Sequence, residues 1–534
     1  MADDETGWSA AERKEIANHI ENSTMTPIPR SEMPRGRRLV NMTWVYKRKR
    51  NGTQKARLCV QGCSQVHGVD YDQVWSGTLR ASSLRMLASL AAKENLKMRR
   101  WDFVAAYLQG QLLDGEVVYC AMPTGYSSGL DPSNPSDRDT VLRIEKPIYG
   151  MAQAGRRWQR ALFPYLLSRG FKVLESDPCV FVRRETVQTP SGPREETLII
   201  GCYVDDLFTL YSHDDEHSIY HSFTTQLVLD WKVEDEGPIA DLLNIEIVQT
   251  ADGKVKLTQA AYIAKLVATH APDGASRPSH QQIKTPCDES LVHHVADALS
   301  STDPIDEVFR RSYQSLVGAL LYCCTNTRPD GTFSVGMLCR AMSCPTPELY
   351  ADALRVLYYF EHTATLGLTY EADDTPLHGY TDSDWAVKRS TSGFVFVHNK
   401  AAISWGSKKQ PSIALSSCEA EVMAGSEAAK EAVYLRHYEE ELGYPNPLPT
   451  RLAMDNQAGI ALAYNPELHA KTKHIARRHF FIRELVEEQR ISVPFVKTVD
   501  NWADFFTKAL RPKHFTAMRN AIMNISANDL VSQH

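Results

Sequence analysis

This chain of 534 residues lacks the marks of several protein classes. No apolar run approaches the roughly 20 residues that a membrane-spanning helix needs. The opening Met1-Ala2-Asp3-Asp4-Glu5 carries no apolar signal core. No CxxC pair occurs, and Cys323-Cys324 is the only adjacent pair among eleven scattered cysteines. Neither a disulfide framework nor a cysteine zinc site is therefore expected, and the thiols read as reduced, in an intracellular protein. With no targeting signal, the cytoplasm is the default expectation. Internal repeats are absent. Basic excess is absent too: 59 Lys and Arg stand against 65 Asp and Glu, for a net charge of -6. That balance excludes a simple basic nucleic-acid coat but not a nucleic-acid enzyme, because local grooves matter more than the total.

What is present is organised around Leu198 to Tyr211, where two apolar runs of strand length flank Asp205-Asp206. The pattern predicts a buried hairpin with two carboxylates at its turn. Adjacent like charges beside apolar strands are costly unless a cation or basic partner neutralises them. A divalent metal answers this, and Mg²⁺ favours oxygen ligands. An ordinary Asp-rich turn is the alternative on these two residues alone.

Along the chain, residues 1–34 predict a lead-in helix around Trp8 to Ile20 and an extended linker with Pro27, Pro29 and Pro34. Asn51-Gly52 signals a hairpin between Leu39–Lys49 and Lys55–Val60. Ser82–Lys93 has helical spacing, Leu96–Val104 reads as a strand carrying Asp102, and Gln153–Ser168 reads as a helix. The polar stretch Glu185–Glu196 predicts a mobile loop. Asp252-Gly253 predicts a turn, with Thr258 capping the helix Gln259–Thr269. Residues 271–305 read as a linker and Phe309–Glu361 as mostly helix. After Leu377 come three strands and a long helix opened by Ser416, then two further α/β elements to about Thr507.

Nucleotidyl transfer needs carboxylates converging from different elements to hold two metals. Asp102, near a strand end, can supply what Asp205 and Asp206 lack, although alone it reads equally as a helix cap. Lys55-Ala56-Arg57-Leu58, Trp101-Asp102 through Tyr107-Leu108-Gln109-Gly110, Ile148-Tyr149-Gly150-Met151 with Gln153 and Trp158, and Tyr203-Val204-Asp205-Asp206 follow in order. This run resembles the reverse transcriptase of a copia-type (Pseudoviridae) LTR retrotransposon Pol polyprotein. The resemblance implies a metal-binding triad of Asp102, Asp205 and Asp206, with Asp206 the more peripheral. It makes Tyr107 a gate against ribose. It places Gln153 on the incoming nucleotide, and Lys55 and Arg57 on its triphosphate, where charge and bidentate geometry suit phosphate.

Downstream, Asp382, Glu421, Asp455 and Asp504 recur in an α/β pattern, which resembles the RNase H domain of the same elements. There the four would hold two metals against the RNA strand of a hybrid. Ser416-x-x-Glu419 is a capping box, so Glu421 is the better ligand. Asp382 and Asp384 alternate on one strand and face the same way; the resemblance favours Asp382. Lys471, Lys473 and Arg477 would touch hybrid phosphates. The loop after Trp385 is shorter than the family's.

The expected fold is α+β and multidomain: a right-hand polymerase of fingers, palm and thumb, a connection segment, then an RNase H-like α/β domain. The expected ranges are 1–34 lead-in, 35–235 fingers and palm, 236–300 thumb-like region and linker, 301–375 helical connection, 376–515 RNase H-like domain and 516–534 tail. The resemblance implies RNA- and DNA-directed DNA synthesis with RNA removal. It implies Mg²⁺ or Mn²⁺, two per active site, and RNA template, DNA primer, RNA–DNA hybrid and dNTPs as partners. Integrase and Gag of the element are further expected partners, in a cytoplasmic virus-like particle or the nucleus. Zinc-knuckle, protease and integrase motifs are missing from the sequence, so the chain reads as a processed product, an excised piece or a truncated copy. The competing expectation is a non-catalytic remnant acting as a nucleic-acid- or protein-binding scaffold.

Overall fold

The computed structural model describes residues 2–48, 52–123, 139–272, 278, 283–385, 389–464 and 476–526. Its centre is a six-stranded antiparallel sheet in the order Val233–Pro238, Lys97–Phe103, Asp206–Tyr211, Gly192–Tyr203, Val180–Thr189, Lys172–Val173. Alternate residues of a strand point to opposite faces, and here both faces are covered. Met98, Val182, Ile199, Phe208 and Leu210 belong to the core shared with helix Ala81–Lys93. Trp101, Phe103, Leu198, Ile200 and Leu207 meet helices Ala154–Ser168 and Ile219–Asp230 on the other side. Two-sided burial explains the unbroken apolar runs around Asp205-Asp206. The hairpin Met42–Arg48 with Gln54–Val60 forms as expected, with Arg48 opposite Gln54.

A second, five-stranded sheet runs Ala401–Lys409, Thr391–His398, His378–Asp384, Thr450–Ala453, Ile491–Ser492. The first three strands are antiparallel and the last two join in parallel. Helix Ser417–Glu441 packs across it.

Four expectations are corrected. Residues 25–29 are not a linker: Met25–Pro29 pairs with Thr140–Ile144 as the edge strand of a four-stranded sheet, a position that tolerates Pro27 and Pro29. Glu185–Glu196 is no loop but the outer part of a long hairpin, Val180–Thr189 with Gly192–Tyr203. Its polar residues pair on the surface, Arg183 with Glu185 at 2.8 Å and Thr186 with Glu195. Within 271–305, Ser290–Ser300 is a helix burying Leu291, Val295 and Ala298. Thr258 does not cap the next helix. Its hydroxyl donates to Glu246 at 2.7 Å, and the Glu246 carboxylate accepts from the amides of Ala260 and Ala261 at 2.9 and 2.8 Å. A carboxylate at a helix N-terminus meets both the free amides and the dipole.

One side chain ties the two sheets into a single body. Arg85, on helix Ala81–Lys93, is fully buried; Nε donates to the carbonyl of Ile403 at 2.7 Å, and Nη1 to those of Thr325 and Asn326 at 2.7 and 2.9 Å. Its guanidinium stacks 4.0 Å over Trp405. Burial lowers its pKa to about 10, still charged at neutral pH. Arg85→Met keeps the volume and leaves three carbonyls unpaired, those of Ile403 and Asn326 buried, a cost of about 3 kcal/mol. Denaturant unfolding of this variant is expected to show that loss, with earlier proteolytic separation of the two halves. Wild-type behaviour in both would contradict the docking role.

Candidate active sites

The register sets Asp102 directly opposite Asp206, with Glu234 opposite Asp102 on its other side. Paired residues of an antiparallel ladder share a face, and like charges placed so repel. Arg100, two residues before Asp102 on that face, relieves the repulsion. Its Nη2 and Nε reach Asp206 Oδ1 at 2.7 and 3.1 Å, and it also meets Glu236 at 3.1 Å and Asp241 at 3.2 Å. Burial still holds the Asp206 carboxyl above its ordinary value, against the pull of Arg100. Asp206 thus joins an ion-pair network centred on Arg100.

Asp205 sits at the turn itself. Val204 before it has φ 57°, a left-handed conformation that a β-branched residue adopts only when held. Trp158 Nε1 supplies that hold, donating to the Val204 carbonyl at 2.6 Å, while the Phe103 amide donates to the Asp205 carbonyl at 3.2 Å. Gly201, on the strand before the turn and opposite Phe208, is required because a Cβ there would lie 2.2 Å from the Phe208 ring. Asp102 and Asp205 lie close enough for their charges to act on one another. Burial and the charges of Asp205 and Asp206 push the Asp102 carboxyl up to about 6, with Lys55 opposing. An all-oxygen pair with excess negative charge fits a hard divalent ion.

Around this pair, Arg57 Nη2 is 3.9 Å from Asp205 and its guanidinium lies 4.6 Å over the Tyr149 ring. Tyr107 meets Tyr149 edge-on at 4.9 Å. Its hydroxyl pKa is raised by burial and by Asp205. Lys55, Arg57 and Tyr107 therefore gather at Asp205 and Asp102. Gln153 does not. Its side chain is completely buried, accepting from Gln65 Nε2 and donating to the Asp70 carbonyl, both at 3.1 Å. In this position it braces the 65–70 segment against the start of helix Ala154–Ser168. The sequence reading missed Arg100 and the Trp158 clamp; Arg100 was signalled by its i−2 spacing from Asp102.

In the second sheet, Asp382, Glu421 and Asp455 place one carboxylate oxygen each within 4.8 Å of one another, the only such triple among the described residues. Asp382 is buried on strand His378–Asp384, whereas Asp384 is exposed at the strand end. Glu421 lies in the first turns of helix Ser417–Glu441. As expected, Glu419 serves the cap instead: it accepts from the Leu415 amide at 2.6 Å, and its own amide donates to Ser416 Oγ at 3.1 Å. Asn456 caps the helix after Asp455 through the Gly459 amide at 3.0 Å. Asp504 is carried by the turn Trp502–Phe506, which Asn501 fastens to the Thr381 carbonyl at 3.1 Å. Thr507 Oγ1 donates to Asp382, and Gly393, opposite Asp382, leaves room for Thr507 because a Cβ there would meet it at 2.7 Å.

Burial and the Asp382 charge raise Glu421 to about 9 and Asp504 to about 7; burial likewise raises Asp382. Glu421 Oε2 is buried with no hydrogen-bond partner. Three converging oxygens, one of them orphaned, fit a divalent cation. Lys471 and Lys473 lie outside the described residues, and Arg477 lies on helix Ala476–Glu487.

Residues 30–275 match the family described as reverse transcriptase (RNA-dependent DNA polymerase). The chain is 29% identical, over 92% of its length, to the retrovirus-related Pol polyprotein from transposon TNT 1-94 of Nicotiana tabacum. It is 30% identical, over 94%, to that from transposon RE1 of Arabidopsis thaliana. It covers 36% and 33% of those two proteins, about a third of their length. Among solved structures, a foamy viral protease-reverse transcriptase in complex with ds DNA aligns over 92% of this chain and 70% of its own. The TM-score is 0.50 at 12% identity, a likeness of fold. Residues 30–275 thus carry the reverse transcriptase family's pattern, and most of the chain is similar to copia-type retrotransposon Pol polyproteins.

The buried acids make a pH prediction. The folded chain keeps the Glu421 proton up to about pH 9, and the unfolded chain releases it near the ordinary value of 4.5. Stability linked to this group is therefore full below that ordinary value and is lost as pH rises through the folded one. In metal-free buffer, Glu421→Gln is expected to melt higher than wild type at pH 8–9, by on the order of 2 °C, with the gap closing toward pH 4.5. A pH-independent gap would contradict the assignment.

Proposed function

We propose that the chain is an RNA- and DNA-directed DNA polymerase with a separate RNase H site, copying element RNA into DNA and removing the RNA strand. The observation that carries this reading is the juxtaposition of Asp102 and Asp205 under Lys55 and Arg57 in a sheet of reverse-transcriptase fold. Divalent metal bound there would activate the primer hydroxyl and stabilise the leaving oxygens. Asp102 and Asp205 would hold it. Arg57 and Lys55 would take the triphosphate charge, and the Tyr107 ring, braced by Tyr149, would close the space beside the sugar. Arg100 keeps Asp206 aside and the hairpin in register. At the second site Asp382, Glu421 and Asp455, with Asp504 adjoining, would hold metal against the hybrid's RNA backbone.

A template path also fits. A cavity of about 600 Å³ is bordered by Arg35, Arg37, Arg157 and Arg160. It shares Arg160 with a smaller cavity of about 280 Å³ bordered by Arg156 and Trp75, whose ring is 68% exposed. Arg157 pairs with buried Glu116 yet keeps Nη1 without a partner. Cationic edges with an exposed aromatic suit single-stranded nucleic acid.

Asp205→Asn is expected to abolish primer extension with Mg²⁺ or Mn²⁺ and to leave hybrid cleavage intact. Asp455→Asn is expected to do the reverse. Undetectable extension by wild type, or equal loss of both activities in each variant, would contradict two separate sites. Trp75→Ala is expected to weaken binding of primed templates by about 1–3 kcal/mol, only when a 5′ template overhang is present. Equal weakening on blunt duplex, read by fluorescence anisotropy, would remove Trp75 from the path.

A further inference from the structure

The second acidic cluster is electrostatically lopsided. Among the described residues, no cationic side chain forms an ion pair with Asp382, Glu421 or Asp455, and Glu421 Oε2 lacks any partner. On the far side of Asp382 the situation is reversed. Lys508 Nζ lies 2.9 Å from Asp504 Oδ1, and its charge is also felt at Asp382 and Asp384. Asp504 is buried, while the Lys508 side chain is 42% exposed and thus free to swing outward. Lys508 is placed there by its own turn: its amide and that of Thr507 donate to the Asp504 carbonyl at 3.3 Å, and Thr507 Oγ1 donates to Asp382. The dipeptide Thr507-Lys508 so fastens two acids arriving from distant parts of the chain.

We propose that Lys508 is a positioning residue that occupies the place of one divalent ion, making the two metal positions of this cluster unequal. An ion at Asp382, Glu421 and Asp455 meets carboxylates that no ammonium contacts directly, the Lys508 charge reaching Asp382 and Asp455 without an ion pair. An ion between Asp382 and Asp504 must displace the Lys508 ammonium, because two cations at that range repel strongly in a partly desolvated site. Without metal, Lys508 keeps the buried acids from driving the turn off the strand. This inference rests on the cluster being a metal site, and it assigns Lys508 a role apart from touching substrate.

The test is Mn²⁺ binding to the full chain, followed by calorimetry and by the paramagnetic signal of free Mn²⁺. Asp102→Asn with Asp205→Asn silences the first site throughout. The expected background result is one tight and one weaker Mn²⁺. Lys508→Gln is expected to tighten the weaker ion by about tenfold, the effect of removing one close like charge. It should change the tighter ion less than the weaker one and lower the melting temperature in EDTA, with recovery on adding Mn²⁺. Lys508→Arg is expected to retain the wild-type pattern. An unchanged weaker ion in Lys508→Gln overturns the proposal, as does a melting loss of equal size with and without Mn²⁺, which is what packing alone would give. Undiminished Mn²⁺ binding in Asp455→Asn overturns the metal-site reading itself. Loss of the tighter ion in Asp455→Asn with no effect of Lys508→Gln overturns only the role of Lys508.

Discussion

Asp102 and Asp206 face one another across an antiparallel ladder, and the first site depends on how that repulsion is met. Arg100 meets it from two residues away on the same strand, with Glu236 and Asp241 sharing its charge. The result is a division between adjacent aspartates. Asp206 is taken into the framework, and Asp205, at a turn held by Trp158, is left to face Asp102. A turn with left-handed Val204 relaxes if it is not pinned. The aromatic packing of Phe103, Trp158 and Trp231 beneath it, at 4.8 and 5.4 Å, is therefore part of the site.

The second cluster handles a similar problem by covalent neighbourhood. Asp504 brings its own cation, Lys508, four residues along, and its own strap to Asp382 through Thr507. Asp382, Glu421 and Asp455 touch no cation directly, and burial holds Glu421 far above the ordinary carboxylate range. A Glu421 that keeps its proton without metal and loses it as a ligand follows from one geometry. Arg85 makes the two clusters parts of one body, since its carbonyl partners lie on the helix Glu307–Asn326 and on a strand of the second sheet.

Much of this was legible in the residues. The Asp205-Asp206 hairpin, the strand bearing Asp102, the three strands after Leu377 and the choice of Glu421 over Glu419 all follow from periodicity and capping rules, and all are found. What the sequence hid was pairing at a distance. Met25–Pro29 looked like a linker because its partner strand lies more than a hundred residues away. Glu246 caps a helix from the neighbouring strand, so Thr258 looked like the nearer candidate. Gln153 carries a family position into a buried brace, which no local pattern reveals. Asp382 and Asp384 share a face, and only burial at the strand end separates them.

The most direct measurement is anomalous scattering from crystals equilibrated with Mn²⁺. The account predicts peaks against Asp102 and Asp205 and against Asp382, Glu421 and Asp455, with Asp206 still paired to Arg100. A manganese peak ligated by Asp206 with Arg100 turned away, or no peak at either cluster, would contradict it.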